Sequence, residues 1–145
     1  MEKMKKIELY QLSFYLPYKI KGNVINNEYF EPEINKELFA INCDDNDVFL
    51  FVGETECTIT ECTIEDFKPI LKSISDISQG EMSELFEMFG DLCLIGNQQH
   101  FNEFLRDHFE NLDTLPLRIC QELAKRGYDI FNLLQNNLAI NFYSF

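Results

Sequence analysis

The sequence predicts an α+β fold, a small antiparallel β-sheet packed by C-terminal helices. Three observations predict it. Leu38–Ile41 and Val48–Val52 are apolar runs on either side of Asn42-Cys-Asp-Asp-Asn-Asp47, the pattern of a hairpin. Cys57–Cys62 alternates and is rich in β-branched residues, which suits a third antiparallel strand after a turn at Gly53–Glu56. Phe101, Phe104, Leu105, His108, Phe109 and Leu112 recur at i, i+3, i+4, i+7, i+8 and i+11, one face of a helix over residues 100–112. Strands early and helices late is the α+β order.

The remaining elements follow in chain order. Residues 4–16 mix periods, and a short helix ending before Pro17 is expected because the residue before proline resists the helical region. Tyr18–Gly22 alternates like a strand, and the polar stretch 23–36 reads as a loop. From residue 64 the pattern turns helical or irregular, with Pro69 interrupting Phe67–Ile77 and a short helix over Ser83–Phe89. Asp113 or Thr114 is expected to cap the next helix, with Pro116 in its first turn and Gly127 beyond its end. Asp129 is expected to cap a last helical turn through Leu134, and Leu138–Tyr143 to return as a strand. The apolar stripe of the 100–112 helix is expected to pack against the sheet of residues 38–62.

With 145 residues, 46% hydrophobic, and fourteen Phe and six Tyr, the chain is too apolar for an acidic disordered tail and is expected to form one globular domain over residues 1–145. Its charge is uneven. Residues 22–66 hold twelve acids and one base, Lys36, and so carry −11 of the total −13, whereas residues 1–21 are net +3. Such a field repels phosphates and attracts basic surfaces, so the acidic segment is not expected to bind nucleic acid or anionic membranes. The basic N-terminal group of Lys3, Lys5, Lys6, Lys19 and Lys21 is expected to be solvated. No apolar run approaches the ~20 residues of a membrane span, and Met1–Tyr10 has no apolar h-region, so no signal peptide is expected. The five cysteines cannot all pair within one chain, and reduced thiols in a cytoplasm are expected.

No residue pattern specifies a reaction. His100 and His108 are eight apart, about 12 Å along a helix at ~1.5 Å per residue, too far to share a metal; His108 is expected to pack in the core and His100 to lie on the surface. Cys57 and Cys62 match half of a zinc site but lack a second pair. Asp45, Asp47 and Glu56 fall at positions 1, 3 and 12 of a calcium loop, but Leu50 stands where its glycine is required. There is no P-loop, dinucleotide fingerprint or nucleophile elbow. No catalytic residue, metal or cofactor is expected.

Three segments together resemble an uncharacterised family of small proteins from phages and prophages of Bacteroidetes bacteria. They are Tyr15-Leu-Pro-Tyr-Lys-Ile-Lys21, Phe67-Lys-Pro-Ile-Leu-Lys-Ser-Ile-Ser-Asp-Ile77 and Tyr128-Asp-Ile-Phe-Asn-Leu-Leu-Gln-Asn-Asn-Leu-Ala-Ile140, covering 31 of 145 residues. The family shows "YLPYGLK"-like, "FKPILRPLSDL"-like and "FDVFGLIEKGLAI"-like segments in the same order. Here Lys19 stands in place of the family's glycine, Ser73 in place of a proline, and residues 22–66 are this chain's own. The resemblance implies a mobile-element origin and carries no catalytic residues. For a compact acidic phage protein it implies an anti-defence role, specifically an anti-CRISPR inhibitor. The alternative it leaves is a phage accessory protein acting through protein–protein contact.

The expected partner is therefore a bacterial defence nuclease, a CRISPR effector, met on its basic guide- or target-binding surface. Asp44, Asp45, Asp47, Glu54, Glu56, Glu61, Glu65 and Asp66 are the expected contact residues, pairing with the Arg and Lys that otherwise hold phosphates. Phe49 and Phe51 are expected in the core.

Overall fold

The computed structural model describes residues 6–25, 33–44, 47–55 and 57–144, without the side chains of Glu33, Asp44, Asp113 and Ser144. The fold is α+β. The chain divides into two compact units, residues 1–72 with 133–145, and residues 73–132.

The first unit contains the sheet. Helix α1 (Leu9–Tyr15) opens with a capping box between Glu8 and Gln11 and buries Leu12 and Tyr15, three residues apart, on one face. Pro17 stops it as expected: Leu16–Tyr18 tighten into a 3-10 turn and Lys19 takes the left-handed region at φ 55°. Glycine enters that region without steric cost, and here a lysine occupies it. Strands β1 (Lys21–Val24), β2 (Glu33–Asp44), β3 (Asp47–Gly53), β4 (Thr60–Thr63), β5 (Phe67–Leu71) and β6 (Ile140–Asn141) lie in the order β4-β3-β2-β1-β5-β6. All neighbours are antiparallel except β5 and β6, where Ile70 pairs with Ile140 in parallel. Leu38, Leu50, Val52, Phe67, Leu71 and Leu133 are buried in this unit.

The hairpin of β2 and β3 matches the expectation and extends it, for β2 starts at Glu33, inside the stretch read as a loop. The polar residues there are held by pairing: Lys21 faces Glu37, Gly22 faces Lys36, and the Asn35 N–H donates to Asn23 Oδ1 at 2.8 Å across an irregular register. Residues 26–32 of the same stretch, and Asp45 and Asn46 of the hairpin turn, lie outside the described residues. The third strand is shorter than expected. Thr55 and Thr58 close a turn through Thr58 N–H to the Thr55 carbonyl at 3.1 Å and Thr55 N–H to Thr58 Oγ1 at 3.0 Å, so Cys57–Ile59 stay out of the ladder.

Phe67–Leu71 is a strand rather than a helix broken by proline. Pro69 cannot donate to a ladder, and β6 pairs with β5 only from Ile70 onward, past the proline. The C-terminal strand is correspondingly short, Ile140–Asn141, and Phe142–Ser144 form a 3-10 turn. Gly22 sits where β1 meets β5: a Cβ there would lie 2.5 Å from the Lys68 carbonyl oxygen and against the Phe67 ring. Neither can yield without disturbing the ladder or the core. Gly22→Ala is expected to cost about 1–3 kcal/mol, read as a lower urea midpoint; an unchanged midpoint would contradict this packing.

The second unit is helical. Helix α2 (Gln79–Phe89) starts earlier than its apolar residues suggest, because Ser78 Oγ accepts the Glu81 N–H at 3.1 Å. Helix α3 (Gln98–Asp107) is capped by Asn97, whose Oδ1 accepts from Gln99 and His100. Phe101 and Leu105 are fully buried, and the Phe101 ring meets Phe86 of α2 at 5.6 Å and Phe104 at 6.3 Å. The helix ends at Asp107, short of the expected 112. His108, its C-cap at φ −99° and ψ 1°, donates from Nδ1 to the Phe104 carbonyl at 2.8 Å, and its ring lies 4.7 Å from that of Phe104. His108 is half-buried, not a core residue. Leu112–Thr114 form a separate 3-10 turn.

Helix α4 (Leu117–Lys125) has Pro116 at its N-cap and no side-chain cap. The expected cap Thr114 instead donates from Oγ1 to the Asn111 carbonyl at 2.6 Å. Its end is as expected: Gly127 takes φ 86°, Tyr128 N–H reaches the Leu123 carbonyl and Gly127 N–H the Ala124 carbonyl, a Schellman arrangement. Arg126 gathers Glu122 at 3.1 Å, Glu84 at 2.9 Å and Glu81 at 3.6 Å, and Tyr128 Oη donates to Glu81 at 2.5 Å. Burial opposes the Arg126 charge, but Glu122 and Glu84 outweigh it and raise its pKa further. The expected helical turn at 129–134 does not form; Asp129, buried, accepts the Phe131 N–H at 3.3 Å, and Asn132 takes a left-handed φ of 58°.

Candidate partner-binding surface

Strand β3 is apolar from Val48 to Val52, so its two faces are separated by tertiary structure rather than by pattern. Leu50 and Val52 are buried, whereas Phe49 and Phe51 are half-buried on the opposite face beside exposed Asp47. The expectation that both Phe belong to the core is corrected. Cross-strand partners share a face: Phe51 lies opposite Glu61 of β4 and Ala40 of β2, and Phe49 opposite Thr63 and Asn42. The outer face of β2, β3 and β4 therefore carries two aromatic rings within an acidic surround.

The expected contact residues divide on this frame. Asp47, Glu61 and Glu65 are exposed. Asp44 pairs with Asp47 through the ladder, and its side chain is outside the description. Asp45 and Glu56 lie outside the described residues. Glu54 forms an ion pair with Lys36 at 3.0 Å; exposed pairs of this kind contribute little, but the acid is already matched. Asp66 is half-buried and accepts from Thr63 Oγ1 at 2.8 Å, which closes the turn after β4.

Asp47 and Glu65 also border a cleft of about 380 Å³. Its walls come from three separated segments: Lys6–Leu9 at the entry to α1, Asp47–Phe49 at the start of β3, and Thr63–Glu65 at the end of β4. Ile7, Leu9, Val48, Phe49 and Ile64 give it apolar walls, and Asp47, Glu65, Glu8 and Lys6 make the rest of its lining charged, so that polar and apolar surface are nearly balanced. No sequence pattern marks this cleft, because none of the three segments is informative without the other two. Among the described residues neither Asp47 nor Glu65 makes an ion pair.

The other side chains weighed for chemistry do not converge. His100 is exposed at the start of α3. Cys57 is exposed and Cys62 half-buried, and no group of three or more metal-ligating residues assembles among the described residues. Among the described residues no cysteine is joined in a disulfide. Burial pushes the Cys93 thiol up, and buried Cys120 donates to the Leu112 carbonyl at 3.2 Å. Brief alkylation is therefore expected to modify Cys43 and Cys57 first, Cys93 later and Cys120 last, as read by peptide mass spectrometry; early labelling of Cys120 would contradict its place in the core. Among the described residues no helix is long and apolar enough to cross a membrane.

Comparison of the chain with protein-family models, with curated proteins and with solved structures finds no match.

Proposed function

We propose that this protein is a phage- or prophage-encoded anti-CRISPR inhibitor. It acts without catalysis, in the bacterial cytoplasm, by binding the basic guide- or target-binding surface of a CRISPR effector nuclease. The observation that carries the reading is the placement of charge. The segment holding −11 of the chain's −13, residues 22–66, forms β2, β3 and β4, one half of the sheet, and Gly22–Val24 of the adjoining β1, which carry no charge. The resembling segments contribute to the other half, Lys21 in β1, all of β5 and Ile140 in β6. The acidic excess thus lies where the chain departs from the family it resembles. This division supports a shared scaffold with an individual binding face. Arginine and lysine side chains that grip phosphates would be drawn to Asp47, Glu61 and Glu65 by the same field, and association would be fast at low salt.

Immobilised protein exposed to a lysate of a bacterium carrying its own defence systems tests the reading. A CRISPR effector is expected among the retained proteins, and retention should weaken as salt rises. Retention that is independent of salt, or that selects no nucleic-acid-handling protein, would contradict it.

A further inference from the structure

We propose that the cleft between α1, β3 and β4 seats a single arginine side chain of the basic partner. This rests on the reading above and narrows it from an acidic face to one anchoring position. Ile7, Leu9, Phe49 and Ile64 line a concavity of about 380 Å³, near the lower end of the ~300–1,000 Å³ range of ligand pockets. An occupant must therefore bring apolar surface as well as charge, which a hydrated metal ion or a phosphate does not.

Charge complementarity then fixes its sign. Asp47 and Glu65 border the cleft, exposed and without an ion pair among the described residues. Glu8 borders it too, though its side chain serves the capping box of α1. Lys6 is the one basic residue in the lining, so the balance there remains negative. An arginine answers each feature. Its methylene stem lies along apolar walls while the head stays near water. Its planar guanidinium pairs with two carboxylates and stacks on an aromatic face, here Phe49. Lysine, a compact and strongly hydrated point charge, uses the walls and ring less well.

The test is an NMR titration of the whole protein with two probes, acetyl-Gly-Arg-Gly-amide and its lysine counterpart. The arginine peptide is expected to shift the amides of Phe49, Thr63 and Ile64 and to bind at least ~3-fold tighter than the lysine peptide. The double substitution Asp47→Asn with Glu65→Gln is expected to weaken it at least ~10-fold, whereas Glu61→Gln, on the same face but outside the cleft, should change it less than ~2-fold. Equal binding of the two peptides, shifts spread across the acidic face, or an equal effect of Glu61→Gln would each overturn the arginine site while leaving the acidic-interface reading intact. Absence of any shift with either peptide would overturn the site as well. Failure of the whole protein to retain any basic partner would instead sink the reading on which the site rests.

Discussion

Phe101→Ala is expected to destabilise the protein by about 3–5 kcal/mol, the range for deleting a buried aromatic side chain. Phe101 is fully buried in α3 and packs on Phe86 of α2 and on Phe104. Truncation leaves a cavity between the two helices, and neither can close it without giving up its other contacts. A typical domain has only ~5–15 kcal/mol in total, so the urea midpoint should fall sharply. Phe104, half-buried and with its ring tilted against that of His108, should cost clearly less when truncated. If the two substitutions cost the same, or if Phe101→Ala left the midpoint unchanged, the burial of this stripe would be wrong. Function in Phe101→Ala should be lost only as far as folding is lost.

The second large effect separates folding from binding. Reversing Asp47, Glu61 and Glu65 to Lys changes the charge of one face without touching the core, since all three are exposed. Surface substitutions of this kind usually alter stability by less than ~0.5 kcal/mol each, and relief of repulsion within the acidic segment favours the variant. Partner affinity should fall at least ~100-fold, because attraction becomes repulsion at three positions of the interface. Circular dichroism and the melting temperature report the fold, and calorimetry with the captured partner reports binding. Normal binding by the triple variant would remove this face from the interface.

The elements most legible in the sequence were those whose pattern agreed with their final environment. The β2–β3 hairpin, the Phe101 and Leu105 stripe of α3 and the Gly127 stop each follow from local chemistry that tertiary structure did not override. The misreadings have physical causes. Pro69 suggested a helix break, yet a proline is tolerated in β5 because β6 pairs only beyond it. The polar run at 33–36 reads as loop until β1 supplies its partner. Phe109 and Leu112 continue the periodicity of α3 across a break in the backbone at His108, so spacing alone overran the end. At the candidate site, exposed acids were readable by type, but their engagement was not: Glu54 is matched by Lys36, eighteen positions earlier in the chain, and Asp66 by Thr63. The cleft was not legible at all, since period-2 alternation is masked where Val48, Phe49, Leu50, Phe51 and Val52 are all apolar.

The most direct measurement of the central claim is a titration of this protein against a fixed amount of a captured CRISPR effector, with guide or target binding read by fluorescence anisotropy. Stoichiometric inhibition is predicted: nucleic-acid binding should fall linearly and saturate near one or two copies per effector, with the midpoint moving to higher protein concentration as salt is raised. Inhibition by a catalytic amount of protein, or an effector that binds its nucleic acid unimpeded at saturation, would contradict the account.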